Sequence, residues 1–282
     1  MKTGFNLLLW TGQVEEEHFP IIEDIAKTGY SGVEIPLFGG SVEHYKKVGQ
    51  VIKDNGMSCT AVTVIPDEEH NPISANADHR KGAIEWLQQV VDWCEALGAE
   101  TLLGPFHSPL GEFSGSGATE DEKSRGADVH REIAQYAQER NVTLALEYLN
   151  RFECYFLNTM EDAVDYVKRV DHPNFGTMYD TFHANIEEKD PFGIIAPAID
   201  QINHVHISEN DRGTPGEGHI DMGAALSALK GAGYDGWLTI EAFGRALPDL
   251  AAATRVWRDF FPSQEHVYKE GYKFLAEAWE KA

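Results

Sequence analysis

The sequence predicts an α/β protein folded as a single (β/α)8 TIM barrel over residues 1–282, with an extra helix at its C-terminal end. Three observations support this. Short apolar runs alternate with longer amphipathic segments along the whole chain, the pattern of a parallel sheet covered by helices. Eight strand-like runs can be counted, and 282 residues suit the roughly 250 that eight βα units occupy. The turn after the first run, Trp10-Thr11-Gly12-Gln13-Val14, has neither a GxGxxG fingerprint nor a Walker lysine, so a doubly wound sheet lacks its usual phosphate-binding signal.

Phe5–Trp10 is the first apolar run, too short for a secretory h-region and with Lys2 as the one basic residue before it, and it is expected to be a strand. Glu15–Thr28 follows as a helix, with Gly29 placed to supply the left-handed residue that closes it. Gly32–Pro36 is expected as strand, Ser41–Asn55 as helix, Ser58–Val64 as strand and Asp78–Leu97 as a long helix ending at Gly98. Glu100–Gly104 and Val142–Glu147 are the next strands, and Thr119–Arg140 and Thr159–Val170 the helices after them. Phe175–Tyr179, Ile202–Ile207 and Gly236–Ile240 complete the eight strands, with helices expected at Pro191–Ile199 and Met222–Gly231. Ser114–Ala118 has the composition of a mobile loop. Pro262–Ala282, with Tyr268, Tyr272, Phe274, Leu275 and Trp279, is expected as a terminal helix on the barrel or at a subunit contact.

Composition narrows the function. Apolar residues make up 42% and charged residues 24%, as in ordinary globular proteins, and no apolar run approaches the roughly 20 residues of a membrane helix. A formal charge of −23 sets up a field that repels DNA and anionic membranes, so a small neutral or cation-assisted substrate is expected, with no nucleic-acid or membrane partner. Cys59, Cys94 and Cys154 are odd in number and form no CxxC pair, which points to a reducing cytoplasm.

Four strands deliver a metal-type ligand at or just past their C-terminal ends, the mouth at which such barrels keep their chemistry. They are Glu147, Asp180, His206 and Glu241, separated by 33, 26 and 35 positions, each about one βα unit. Each acid alone could equally be a helix cap or a loop ion-pair partner. Three carboxylates brought together would repel one another unless a cation sat among them, and this donor set suits Mn2+, Mg2+ or Co2+, with zinc left open. His204 shares a strand face with His206 and is expected to pack behind it, whereas His107 either faces the cavity or closes a loop. His183, three residues past Asp180, stands between a substrate donor and a structural role. Arg212 is the only Lys or Arg in the glycine-rich loop Ile207–Asp221, where it suits an oxyanion or else pairs with Glu209 or Asp211.

Four segments carry these residues: Leu146-Glu-Tyr-Leu-Asn-Arg-Phe-Glu153, Tyr179-Asp-Thr-Phe-His-Ala-Asn-Ile-Glu-Glu188, His204-Val-His-Ile-Ser-Glu-Asn-Asp-Arg-Gly213 with Gly218-His-Ile-Asp221, and Leu238-Thr-Ile-Glu-Ala-Phe-Gly244. In order and spacing they resemble the ketose 3-epimerases, typified by D-tagatose 3-epimerase and D-psicose (allulose) 3-epimerase, of the xylose-isomerase-like TIM-barrel superfamily. The resemblance implies Glu147, Asp180, His206 and Glu241 as ligands of one divalent ion per chain, Mn2+ foremost. It makes Glu147 and Glu241 the acid/base pair and places Glu153, His183 and Arg212 on the sugar oxygens, with Phe243 as the aromatic beside the second glutamate. It further implies a free ketohexose or ketopentose such as D-tagatose, D-fructose, D-psicose or L-ribulose, inverted at C3 through a cis-enediolate, and, together with the aromatic C-terminal helix, a homodimer or homotetramer.

Two departures bear on the substrate. Tyr148 stands where the family commonly has proline, and Gly104–Leu110 lacks a tryptophan found there in some members. Rival activities on the same barrel are a hydroxypyruvate isomerase-like aldose–ketose isomerase and an inosose dehydratase-like lyase. An endonuclease of this fold would need more ligands and a basic face.

Overall fold

A computed structural model describes residues 1–282. Its strands are β1 Lys2–Asn6, β2 Gly32–Pro36, β3 Ser58–Val62, β4 Thr101–Gly104, β5 Thr143–Leu146, β6 Phe175–Asp180, β7 Ile202–Ile207 and β8 Trp237–Ile240. All pair in parallel and in chain order, and β8 returns to β1 to close the barrel. The helices are α1 Phe19–Thr28, α2 Val42–Asp54, α3 Ala77–Leu97, α4 Glu120–Gln138, α5 Met160–Val170, α6 Thr181–Glu187, α7 Ile195–Ala198, α8 Met222–Gly231, α9 Pro248–Ala253 and α10 Gln264–Lys281. No helix is long and apolar enough to cross a membrane.

The helix ends follow local chemistry. Ser41, Thr119, Thr159 and Ser263 each accept a backbone N–H at an N-terminus, and Gly29 closes α1 at φ 115°. Four expectations need correction. The first run divides, because the Asn6 side chain accepts the Leu8 N–H and turns Leu7–Leu9 into a 3-10 turn. The expected helix Glu15–Thr28 becomes a 3-10 turn, Glu16–His18, before α1, where Pro20 fits only within the first helical turn. The expected helix Pro191–Ile199 shrinks to α7. Finally, α6 and α9 form where no helix was expected, each too short to show a 3.6-residue pattern. The terminal helix α10 lies on the barrel, burying Val267, Tyr268 and Leu275, and its Tyr268 carbonyl accepts the Tyr30 hydroxyl at 2.7 Å.

Strand alternation decides what faces the barrel axis. Phe5, Val33, Ile35, Cys59, Ala61, Leu102, Leu144, Leu146, Tyr179, Val205, Ile207 and Ile240 belong to the large apolar cluster between sheet and helices. Their neighbours Val62, Leu103, Ala145 and Met178 fall in a separate inner cluster, closed at the mouth by Phe243 and by Ala251 of α9. By the same alternation Asn6, Glu34, Thr60, Asp180, His204 and His206 point inward, and all six are buried.

Candidate active site

The four expected ligands converge: Glu147, Asp180, His206 and Glu241 are buried, and one ligand atom from each lies within 4.8 Å of the others. Asp180 is both cap and inward acid. Its Oδ1 accepts the N–H groups of Phe182 at 2.6 Å and His183 at 3.3 Å, starting α6, while its Oδ2 is buried without a hydrogen-bond partner. His206 Nδ1 is likewise unpartnered, 3.6 Å from Asp180 Oδ2 and 3.4 Å from Glu241 Oε1. Orphaned acceptors rarely survive burial, and these two face the same point from different strands. The donor set and the geometry therefore fit a divalent cation.

Behind the imidazole stands Glu34 of β2. Its Oε1 lies 2.8 Å from His206 Nε2, which assigns the ring proton to Nε2 and leaves the Nδ1 lone pair for a ligand. Thr60 donates to Glu34 Oε2 at 2.8 Å and Asn6 to Oε1 at 2.9 Å. His204 Nε2 sits 3.1 Å from the same carboxylate at an angle outside hydrogen bonding, so His204 packs behind His206 as expected. Burial opposes ionisation of Glu34, yet His206 and His204 hold its carboxyl far below the ordinary range. For His206 burial again disfavours charge, and Glu34 and Glu241 outweigh it to raise the ring well above its usual value. Burial pushes the Glu147 carboxyl well up, and Glu241 adds to the shift. Asp180 moves the other way, to about 2, because His183, His206 and Arg212 outweigh its burial.

Arg212 is 3% exposed and pairs with neither Glu209 nor Asp211; its Nη1 donates to Glu241 Oε2 at 2.6 Å. Its guanidinium lies 3.8 Å from the Phe182 ring and 4.7 Å from the Phe243 ring. The backbone at Arg212 is left-handed, φ 62°, a conformation that costs a non-glycine residue about 1–2 kcal/mol. Glu209, fully buried, accepts the N–H groups of Gly216 and Ile220 and so folds the loop that holds this turn. His183 Nδ1 accepts the Asn150 N–H at 2.9 Å, so its proton sits on Nε2, 3.5 Å from Glu147 Oε1. Glu153 Oε1 accepts from Asn150 Nδ2 at 3.0 Å and lies 3.9 Å from Arg212.

Glu147, Glu153, His183, Arg212, Glu241 and Phe243 line one cavity, which encloses about 460 Å3 with open solvent at its mouth included. The rest of its lining is mostly apolar and includes Phe38, Val62, Val64, Pro105, Leu110 and Leu250. Tyr148 is not in that wall. One position after Glu147 it faces the opposite way, buried in the cluster between sheet and helices, so the departure at this position does not touch the cavity. His107 closes a loop, buried with Nδ1 2.8 Å from Ser108 Oγ. Asn6, Glu34 and Phe182 escaped sequence reasoning. Asn6 and Glu34 carried one signal, a single polar residue between apolar neighbours, Phe5 and Leu7 or Val33 and Ile35.

Residues 22–278 match the family model described as xylose isomerase-like TIM barrel. The D-psicose 3-epimerase of Ruminiclostridium cellulolyticum is 33% identical over 264 residues, 92% of this chain and 89% of that protein. A probable ketose 3-epimerase of Synechocystis sp. is 29% identical over 280 residues, 99% of this chain and 97% of its own length. Among solved structures, the D-psicose 3-epimerase of Clostridium cellulolyticum with D-tagatose superposes with a TM-score of 0.90 at 30% identity, covering 99% of both chains. The chain therefore belongs to the xylose isomerase-like TIM barrel family and, within it, to the ketose 3-epimerases, a branch of sugar isomerases.

Proposed function

We propose that this protein is a divalent-metal-dependent epimerase that inverts C3 of a free ketose, with Glu147 and Glu241 as its acid and base. The observation that carries the proposal is the pair of buried carboxylates brought from β5 and β8, three strands apart around the barrel, to one cluster beside Arg212. A binding protein has no need of two such acids on separate strands. Glu147, Asp180 through Oδ2, His206 through Nδ1 and Glu241 would hold the cation, which supplies Lewis-acid stabilisation of a developing oxyanion when bound. Mn2+ is the expected ion, with Mg2+ or Co2+ as substitutes.

In one direction Glu241 takes the C3 proton, and the C–H electron pair moves into the C2–C3 bond as the C2 carbonyl becomes an oxyanion. The product is a cis-enediolate, whose charge the Arg212 guanidinium stabilises. Glu147, in its protonated form, would return a proton to the other face of C3 as the C2 carbonyl re-forms. Two acids are needed because one alone would tend to restore the original configuration; in reverse their roles exchange. His183 Nε2–H would donate to a sugar oxygen and Glu153 would accept from a hydroxyl, while the apolar part of the lining would receive the distal carbons. The enzyme would work as a cytoplasmic homodimer or homotetramer.

The test is a panel of D-fructose, D-tagatose, L-ribulose and hydroxypyruvate with added Mn2+, read by chromatography and mass. The expected product is the C3 epimer of at least one ketose. Turnover of hydroxypyruvate alone, or loss of water from the sugar, would overturn the proposal.

A further inference from the structure

We propose that Asn6, together with Glu34, is a positioning residue that orients the carboxylate of Glu241 and fixes the ring nitrogen His206 offers to the cation. The inference rests on the metal and acid/base roles given to these residues above. Asn6 closes β1, directly opposite Glu34 of β2 in the register, and Glu34 is in turn opposite Thr60 of β3. All three are buried. The Asn6 amide has one satisfactory orientation. Its Oδ1 accepts the Leu8 N–H at 2.8 Å, and its two Nδ2 protons go to Glu34 Oε1 at 2.9 Å and Glu241 Oε1 at 3.2 Å. The flipped amide would set an oxygen against two carboxylates and strand the Leu8 N–H.

A side-chain amide is planar, so one residue ties two acids from opposite edges of the β1 strand into a fixed relation. Glu34 passes that relation on through its contact with His206 Nε2 at 2.8 Å, which turns Nδ1 toward Asp180 and Glu241. Glu241 is held on its other oxygen by Arg212. Asn6 therefore holds the side of Glu241 that faces His206, and Arg212 holds the side that faces the cavity. Because Asn6 is absent from the residues lining the cavity, it acts through Glu241 and His206 and not on the sugar.

The test compares Asn6→Leu, similar in volume but without donors, and Asn6→Asp, similar in shape but acidic, with the wild-type protein. Co2+ binding to the metal-stripped proteins is followed by calorimetry and absorption spectra, and kcat and KM are measured on the ketose that wild type turns over. Outer contacts to metal ligands are commonly worth 10–100-fold, so Asn6→Leu should weaken Co2+ binding about 10-fold. It should also lower kcat by at least about 10-fold with KM little changed, as for an interaction that matters in the transition state. Asn6→Asp, which adds a carboxylate between two others, should be worse on both counts. Wild-type Co2+ affinity and kcat in folded Asn6→Leu would overturn the inference, as would a loss confined to the thermal midpoint. If Asn6→Leu does not fold, Asn6→Ser is read by the same criteria. Should wild type epimerise no ketose, the epimerase proposal fails, while the Co2+ comparison still decides whether Asn6 organises the site.

Discussion

Replacing Arg212 by lysine keeps a positive charge at the site and removes the guanidinium plane, so it separates charge from geometry. The guanidinium donates through Nη1 to Glu241 at 2.6 Å and to Ser208 at 3.2 Å, and it lies over the rings of both Phe182 and Phe243. An ammonium can keep the Glu241 contact, but it cannot stack as a plane and reach Ser208 as well. A lost hydrogen bond to a charged group is worth about 1.5–3 kcal/mol, and desolvated ring contacts about 1–2 kcal/mol each with part retained by lysine. A net loss of about 3–4 kcal/mol, at 1.36 kcal/mol per tenfold, predicts a fall in kcat/KM of about 10²–10³-fold. Initial rates at saturating Mn2+ measure it, and circular dichroism confirms the fold. A folded Lys variant within about threefold of wild type would refute the assignment of geometric work to the guanidinium.

Glu147→Gln and Glu241→Gln should each lower kcat by about 10³-fold or more while leaving the circular dichroism spectrum intact; activity retained in both would sink the acid/base proposal. Cation binding should release protons. The metal-free protein holds one on His206, whose pKa lies above its ordinary range, and Nδ1 must give its proton up to bind a cation. Apparent affinity should therefore drop as pH falls, and binding heats should vary with the ionisation enthalpy of the buffer; heats that do not vary would contradict the protonated apo site. Tyr148→Phe should leave kcat and KM unchanged and raise the thermal midpoint. The Tyr148 hydroxyl is buried without a partner, at a cost of about 1–3 kcal/mol, and changed substrate preference would return Tyr148 to the cavity wall.

The barrel was legible because its strands are read by burial. Gly32–Pro36 and Ile202–Ile207 emerge with the bounds expected from their apolar runs, and helix Met222–Gly231 does likewise. The convergence of Glu147, Asp180, His206 and Glu241 was legible for a related reason: an acid or imidazole at the end of a buried strand needs a partner, and four at one-unit intervals can share one. Asn6 and Glu34 sit between Phe5 and Leu7 and between Val33 and Ile35, and in a run buried on both faces a single polar residue does not disclose which face is the barrel axis. Tyr148 misled through sequence adjacency, since it lies beside Glu147 just past β5 yet packs into the cluster between sheet and helices rather than the cavity. The helix α6 was missed because Asp180 starts it with two backbone contacts, a local capping event that leaves no apolar repeat.

The charge inventory of the barrel mouth ties stability to function. Glu34, Glu147, Glu153, Asp180 and Glu241 are five carboxylates, and Arg212 is the one guanidinium or ammonium that meets them. Without further positive charge, burial and then Glu241 raise Glu147, and Glu34 and Glu241 outweigh burial to hold His206 toward its protonated form. A divalent cation replaces protons in that balance, so its binding free energy adds to folding stability by mass action, about 2.7 kcal/mol at 100 times its Kd. Glu34 is set apart from the other acids, since Thr60, Asn6 and His206 satisfy it within the protein and leave its charge permanent. The acids around the cation are left less completely satisfied. A divalent cation would take over the balancing role that a protonated His206 plays in the metal-free site, which ties the excess negative charge of the mouth to recruitment of the cation.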